Sequence, residues 1–231
     1  MNDASSLRSR FEAVRQRIDR AATRSGRRAA DVTLIAVVKT VPAAAVREAL
    51  ALGVGDLGES RVQEAESHVA AIGRGAARWH LIGHLQRNKA ARAEELFDRV
   101  HSVDRPEIAV ALSGHAAAAG RTIRGLIEVN VAGEPAKFGV APEGVEALLE
   151  QTRALSGLAI DGLMTVGPPV ERPEDARPHF ARLRELRERA ARATGMALPE
   201  LSMGMSSDFE VAAEEGATLV RVGTALFGAR G

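Results

Sequence analysis

Short apolar runs alternate with amphipathic stripes along almost the whole chain. The run from Val32 to Val38 is nearly continuous and ends at a turn, which is typical of a strand buried on both faces of a parallel sheet. Segments with helical periodicity separate the apolar runs, and this alternation predicts a parallel sheet covered by helices. We expect eight strands, which begin near residues 32, 56, 79, 100, 122, 158, 200 and 218.

The N-terminal segment carries an apolar stripe of its own. Leu7, Phe11, Val14 and Ile18 are spaced by four, three and four residues, which predicts an amphipathic helix over residues 4–24. Eight strand-helix units in 231 residues come close to the roughly 250 residues of a (β/α)₈ TIM barrel. We therefore expect an α/β fold with one barrel domain over residues 1–231, on which the helix of residues 1–28 packs.

Lys39 is the first candidate for chemistry, because it follows the first buried strand and TIM barrels place their sites at the carboxyl ends of strands. An unprotonated lysine amine can form a Schiff base with a carbonyl compound. A simpler interpretation is a lysine whose stem lies along the barrel rim with its amine in water. Among the 31 residues that are lysine or arginine, only Lys39, Lys89 and Lys137 are lysines. In a chain that otherwise uses arginine, these three positions are candidates for primary-amine chemistry.

A phosphate site is predicted at the same rim. Ser206 and Ser207 follow the seventh strand, and Gly223 and Thr224 follow the eighth, where such barrels often bind phosphate. Each residue alone could equally cap a helix or form a turn. Together with Lys39, however, they predict a pyridoxal phosphate site that combines an imine-forming amine with donors for the phosphate.

Arg221 lies in the eighth strand, close to this group. A guanidinium opposite the pyridine nitrogen of the cofactor would keep that nitrogen unprotonated, because protonation would bring two positive charges together. The cofactor would then be a poor electron sink, which suits binding or simple proton exchange better than transamination.

The composition of the chain argues against several classes of function, namely nucleic-acid binding, membrane binding and metal binding. A net charge of +1, no tyrosine and a single tryptophan give no argument for nucleic acid or an anionic membrane. The chain contains no cysteine, and His80 and His84 lack the neighbouring glutamate of a metal-binding helix, so we expect no metal site. No apolar stretch approaches the roughly 20 residues of a membrane span, and we expect a cytoplasmic protein.

Several segments resemble the pyridoxal phosphate homeostasis protein family. They are Ala36–Thr40, Gly58–Glu64, Trp79–Lys89, Gly162–Met164, Leu201–Ser206 and Val220–Thr224. The resemblance implies a barrel of the alanine racemase N-terminal type (fold type III) with the cofactor on Lys39. It also implies a mainly monomeric carrier or supplier of pyridoxal phosphate, with little or no turnover, that acts in vitamin B6 homeostasis and hands the cofactor to apoenzymes.

The same resemblance assigns roles to individual residues. Ser206, Gly223 and Thr224 would hold the phosphate, with Ser207 beside them, and Arg221 would face the pyridine nitrogen. Two further residues, Lys137 and Ser60, match the family less closely at the positions of its cofactor contacts. Lys137 matches a lysine that contacts the cofactor secondarily, and Ser60 stands where the family usually has asparagine.

Two enzyme alternatives stay open. The first is an amino-acid racemase that uses Lys39 as a base, although the sequence has no tyrosine to serve as the opposite base and we expect no second domain beside the barrel. The second is a Schiff-base aldolase that acts on a sugar phosphate and needs no coenzyme.

Overall fold

The computed structural model describes residues 6–228, which form a closed barrel of eight parallel strands. The strands follow one another around the barrel in chain order, which confirms the predicted fold class. Their bounds are β1 Thr33–Val37, β2 Asp56–Glu59, β3 Arg78–Leu81, β4 Arg99–Val103, β5 Ile123–Glu128, β6 Leu158–Met164, β7 Glu200–Ser202 and β8 Leu219–Val222.

Helices cover the outside of the barrel, and one of them precedes the first strand. A 3₁₀ turn over Arg87–Lys89 precedes the helix that follows β3. The α-helices are α1 Leu7–Arg24, α2 Ala43–Ala51, α3 Val62–Ile72, α4 Ala90–Leu96, α5 Pro106–Ala118, α6 Val145–Arg153, α7 Arg177–Thr194, α8 Phe209–Glu214 and α9 Thr224–Phe227.

Pairing between β1 and β8 closes the barrel. Thr33 pairs with Leu219, and the register continues to the pair of Ala36 with Val222. A small apolar cluster fills part of the barrel interior, separate from the larger core between strands and helices. Its members are Ile35, Leu126, Met164 and Leu219, all buried. Because β1 and β8 are neighbours, the loops that follow them lie side by side at the carboxyl end of the barrel.

Helix α1 packs on the outside of the barrel against α8 and α9. Val14 and Ile18 of the predicted stripe are buried, whereas Phe11 is half-buried against the core. Ser6 caps the helix by accepting a hydrogen bond from the N–H of Ser9, and the predicted start at residue 4 lies outside the described residues. Within residues 6–228, no helix is long and apolar enough to cross a membrane.

Candidate functional site

Lys39 lies at the carboxyl end of the barrel, two residues beyond the end of β1. Its side chain is half-buried and lines a cleft of about 710 Å³. The cleft lies between the turn after β1, the start of α1, the helix α2 and the segment that follows β8. The residues that line it are Ser6, Leu7, Arg10, Val37, Lys39, Thr40, Val41, Pro42, Ala45, Glu48, Gly223, Thr224, Phe227 and Gly228.

The structure brings two of the predicted phosphate residues into this cleft. Gly223 and Thr224 line it together with Lys39. Ser206 lies next to them, because its Oγ accepts hydrogen bonds from the backbone N–H groups of Gly223 at 3.1 Å and Ala225 at 3.2 Å. The Ser206 hydroxyl therefore caps the start of α9 and also lies at the edge of the cleft. Backbone N–H groups and hydroxyls of this kind are suitable donors for a phosphate group.

Arg221 is buried two residues before Gly223. Its Nη1 donates to Ser202 Oγ at 2.5 Å and its Nη2 donates to the carbonyl of Thr165 at 2.8 Å. Both acceptors are neutral, and within residues 6–228 no carboxylate lies within 4.0 Å of this guanidinium. Burial lowers the pKa of Arg221 to about 10, so the side chain stays charged at neutral pH. The site therefore contains a fixed buried cation without an ion-pair partner.

A chain of hydrogen bonds connects Arg221 to the opposite end of the barrel. Ser202 Oγ is 2.9 Å from His101 Nδ1, His101 Nε2 is 3.0 Å from His80 Nδ1, and His80 Nε2 is 2.9 Å from Asp56 Oδ1. Burial lowers the pKa of His101 well below its usual value, so this ring is neutral. At the ends of this hydrogen-bond chain the roles are fixed, because the Arg221 guanidinium only donates and the Asp56 carboxylate only accepts.

The carboxylate of Asp56, at the end of this hydrogen-bond chain, is ionised. Burial opposes the ionisation of Asp56, but hydrogen bonds from His80 and Arg78 outweigh it and lower the pKa of Asp56 to about 2. Arg78 reaches both carboxylate oxygens at 2.7 Å. This hydrogen-bond chain therefore has opposite charges at its two ends, and its Ser202 end orients the Arg221 guanidinium together with the carbonyl of Thr165.

Ser202→Ala is expected to lower the free energy of unfolding by about 2 kcal/mol, because it leaves Arg221 Nη1 and His101 Nδ1 buried without partners. Urea denaturation measures the change. Ser67→Ala on the exposed face of α3 is the matched control, with an expected change within about 0.5 kcal/mol. Equal effects of the two substitutions would show that the interior chain contributes nothing specific.

Glu128, at the end of β5, is a second buried charge near the site. It is 7% exposed, and its Oε2 has no hydrogen-bond partner within the described residues. Burial, together with repulsion from Asp104, raises the pKa of Glu128 to about 7, although attraction to Arg221 opposes the shift. The carboxyl therefore changes charge close to neutral pH, opposite the buried guanidinium.

This raised pKa predicts a pH dependence of stability. A carboxyl whose pKa rises from 4.5 to about 7 on folding stabilises the fold fully below its unfolded pKa, and this contribution is lost as the pH rises through about 7. Glu128→Gln is therefore expected to lose less stability between about pH 5 and about pH 8 than the parent protein, by about 2 kcal/mol. Urea denaturation at both pH values measures the difference. Glu143→Gln at an exposed position should leave the pH profile unchanged.

Five of the eight predicted site residues lie outside the lining of the cleft, namely Ser206 and Arg221, described above, and Ser207, Ser60 and Lys137. Ser207 is exposed in the loop after β7, and Ser60 follows β2. Lys137 is in the loop after β5, where its Nζ pairs with Glu134 Oε1 at 2.7 Å and donates to the carbonyl of Gly167 at 3.1 Å. The amine of Lys137 is thus engaged with its own loop and with the loop after β6.

Sequence reasoning missed the residues that hold Arg221 in place. Ser202 and His101 lie on strands far apart in the chain, and only the barrel register brings their side chains together. Glu128 gave a weak signal, as a carboxylate that directly follows the apolar pair Leu126 and Ile127. His80, which lacks the sequence context of a metal-binding helix, has hydrogen-bond partners on both ring nitrogens.

Comparison with known proteins gives consistent family matches. Residues 10–231 match the family described as alanine racemase, N-terminal domain. A protein named pyridoxal phosphate homeostasis protein from Aquifex aeolicus is 45% identical, and the match covers 96% of this chain and 97% of that relative. A protein of the same name from Pseudomonas aeruginosa is 46% identical, and the match covers 94% of this chain and 93% of that relative. The structure of PipY from Synechococcus elongatus with PLP bound is 37% identical, with a TM-score of 0.86 over 96% of this chain and all of PipY. This chain therefore belongs to the pyridoxal phosphate homeostasis protein family, within the alanine racemase N-terminal domain family.

Proposed function

We propose that this protein binds pyridoxal 5'-phosphate as a Schiff base on Lys39 and acts in intracellular vitamin B6 homeostasis. It would hold and supply the cofactor, with little or no turnover of its own. The observation that carries the proposal is the position of Lys39 beside Gly223 and Thr224 in one cleft. The PLP-bound structure of PipY, a relative that aligns over nearly the whole chain, supports the same cofactor here.

The residues of the cleft fit this cofactor. Lys39 provides the primary amine that reacts with the aldehyde, and the cleft of about 710 Å³ is large enough for a small aromatic ligand. The backbone N–H of Gly223 and the hydroxyls of Thr224 and Ser206 would hold the phosphate, with Ser207 in the same loop. Without a side chain, Gly223 lets an anion approach the backbone closely.

Arg221 would set the electronic state of the ring. Bound cofactor supplies an electron sink whose strength depends on protonation of the pyridine nitrogen. The Arg221 guanidinium is held by neutral acceptors and keeps its charge, so it would disfavour a proton on a nitrogen that faces it. This arrangement favours a protein that stores the cofactor over one that uses it for transamination.

Ser60 and Lys137 would make secondary contacts. Both lie in loops at the carboxyl end of the barrel, after β2 and after β5. For Lys137 to reach a ligand, its Nζ would have to leave Glu134 and the carbonyl of Gly167. We therefore place these two residues outside the primary cofactor contacts.

The proposal includes partners and location. Apo forms of pyridoxal phosphate enzymes would receive the cofactor from a monomeric, cytoplasmic protein that binds neither nucleic acid nor membranes. The absence of cysteine is compatible with a reducing compartment, and the near-neutral charge offers no electrostatic attraction to polyanions.

Transfer of the cofactor to an apoenzyme tests the carrier role. The loaded protein is mixed with an apo form of a pyridoxal phosphate enzyme in the presence of an excess of a scavenger for free pyridoxal phosphate. We expect the enzyme to regain activity faster than with the same amount of free cofactor. Recovery no faster than with free cofactor would contradict a role as supplier.

An amino-acid racemase that uses Lys39 as its base is the second candidate. The amine of Lys39 in an open cleft could remove an α-proton, but the titratable side chains that line the cleft besides it are Arg10 and Glu48, and the chain has no tyrosine. Exchange of the α-proton of alanine in heavy water distinguishes the two functions. Exchange at ordinary enzyme rates would favour the racemase, whereas slow exchange is compatible with one-base chemistry through Lys39.

A further inference from the structure

The turn that contains Lys39 is strained. Thr40, the next residue, has φ of 63° and is the one residue other than glycine with positive φ within residues 6–228. The N–H of Val41 donates to the carbonyl of Val38 at 2.9 Å, so Lys39 and Thr40 form the centre of a tight turn. A β-branched residue in the left-handed region is a true outlier, and such strain persists only where the surroundings hold the backbone in place.

The side chain of His68, which lies outside the turn, contacts the backbone of the turn. His68 on α3 has its Nε2 at 2.8 Å from the carbonyl oxygen of Val41. Since a carbonyl only accepts, Nε2 carries the hydrogen and donates. On the other side, the N–H of Val38 donates to the carbonyl of Gly58 in β2 at 3.0 Å. The turn is therefore fixed at both ends by the neighbouring β2–α3 unit.

His68 is itself fixed by a buried carboxyl group. Its Nδ1 is 2.5 Å from Glu59 Oε1, and Glu59, at the end of β2, is fully buried. Because Nε2 carries a hydrogen, one proton is shared between Nδ1 and the carboxyl oxygen in this short contact. The imidazole ring is therefore held between a carboxyl group and a carbonyl group, and it has one orientation in which both contacts are satisfied. Neither Glu59 nor His68 lines the cleft, and the side chains of both are engaged with each other.

We infer that Glu59 and His68 are positioning residues that hold the strained turn at Thr40 and thereby set the place of the Lys39 amine. The pair acts through the backbone: Glu59 orients the His68 ring, the ring holds the Val41 carbonyl, and the carbonyl fixes the turn. The importance of the Lys39 position rests on the proposed function, but the contacts and the strain do not.

The strain at Thr40 leads to a specific expectation for variants of Thr40 and His68. Glycine adopts positive φ without cost, so Thr40→Gly removes the strain and with it much of the need for the His68 contact. Loss of the His68 contact should therefore matter more when Thr40 is present than when glycine replaces it. Effects that depend on each other in this way distinguish a positioning role from general packing.

The test measures Lys39 in the full chain without cofactor. Lys39 and Lys89 are acylated in competition with acetic anhydride, and peptide mass spectrometry gives the ratio of their labelling rates. His68→Leu is expected to change this ratio by about fivefold, and in the Thr40→Gly background by less than about twofold. His68→Gln can still donate to the Val41 carbonyl and should restore a ratio close to that of the parent protein.

An unchanged labelling ratio in both His68→Leu and His68→Gln would overturn the inference, even if both variants are less stable. Should His68→Leu not fold, His68→Asn replaces it in both backgrounds, because the shorter amide can meet Glu59 but cannot reach the Val41 carbonyl. The same variants are then mixed with pyridoxal phosphate, and the rate of the visible spectral change is recorded. A labelling ratio that responds to His68 in a protein that binds no pyridoxal phosphate would support the positioning role and contradict the proposed function.

Discussion

Replacement of Lys39 by alanine is expected to abolish the covalent attachment of pyridoxal phosphate completely and to leave the fold intact. Lys39 lines the cleft with its half-buried side chain, and no other lysine does so within the described residues. The loss of its stem should change the free energy of unfolding by less than about 1 kcal/mol. Visible absorbance after addition of the cofactor and urea denaturation measure the two effects.

Lys89→Ala is the matched control, since Lys89 lies outside the cleft in the 3₁₀ turn before α4. We expect it to bind the cofactor as the parent protein does. A Lys39→Ala variant that still forms the coloured adduct would assign the attachment to Lys89 or Lys137 and contradict the proposed function.

Gly83→Ala is expected to destabilise the protein by about 3 kcal/mol. A Cβ at Gly83 would lie 2.3 Å from the carbonyl oxygen of Ser60, which is backbone and cannot rotate away. The loops after β2 and β3 therefore approach each other more closely than any side chain at this position permits. Thermal or urea denaturation measures the loss.

Gly114→Ala in helix α5 provides the comparison. A Cβ at Gly114 meets nothing within 4 Å, and alanine is a better helix former than glycine by about 1 kcal/mol. We expect this variant to be as stable as the parent protein or slightly more so. Similar losses from both substitutions would contradict the close approach of the two loops.

The barrel and the cleft were predictable from the sequence for a common reason. Buried parallel strands give continuous apolar runs, and the carboxyl ends of such strands meet at one end of a barrel. Lys39 and Gly223 follow β1 and β8, which are neighbours once the barrel closes, so their meeting needed only the order of the strands.

Side-chain partners across the barrel were not predictable in the same way. The contact of His101 with Ser202 depends on the register of strands that do not pair with each other, and a shift of one residue would turn either side chain outward. The sequence shows that these strands contain polar residues. It does not show which of these polar side chains lie at the same height along the barrel axis and meet in the interior.

Backbone strain gave no signal at all. Threonine is common in strands and turns with negative φ, so Thr40 gives no hint of a left-handed conformation. For Lys137, the family resemblance implies a secondary cofactor contact, and the structure adds that its amine pairs with Glu134 and donates to the carbonyl of Gly167.

Reduction of the reconstituted protein with borohydride, followed by mapping of the labelled peptide, identifies the residue that holds the cofactor. We expect a yellow protein whose irreversible label lies on Lys39. A label on Lys89 or Lys137 would contradict the assignment of the anchor. A colourless protein that cannot be loaded with pyridoxal phosphate would contradict the cofactor itself and would favour a Schiff-base aldolase that uses the same lysine and phosphate donors.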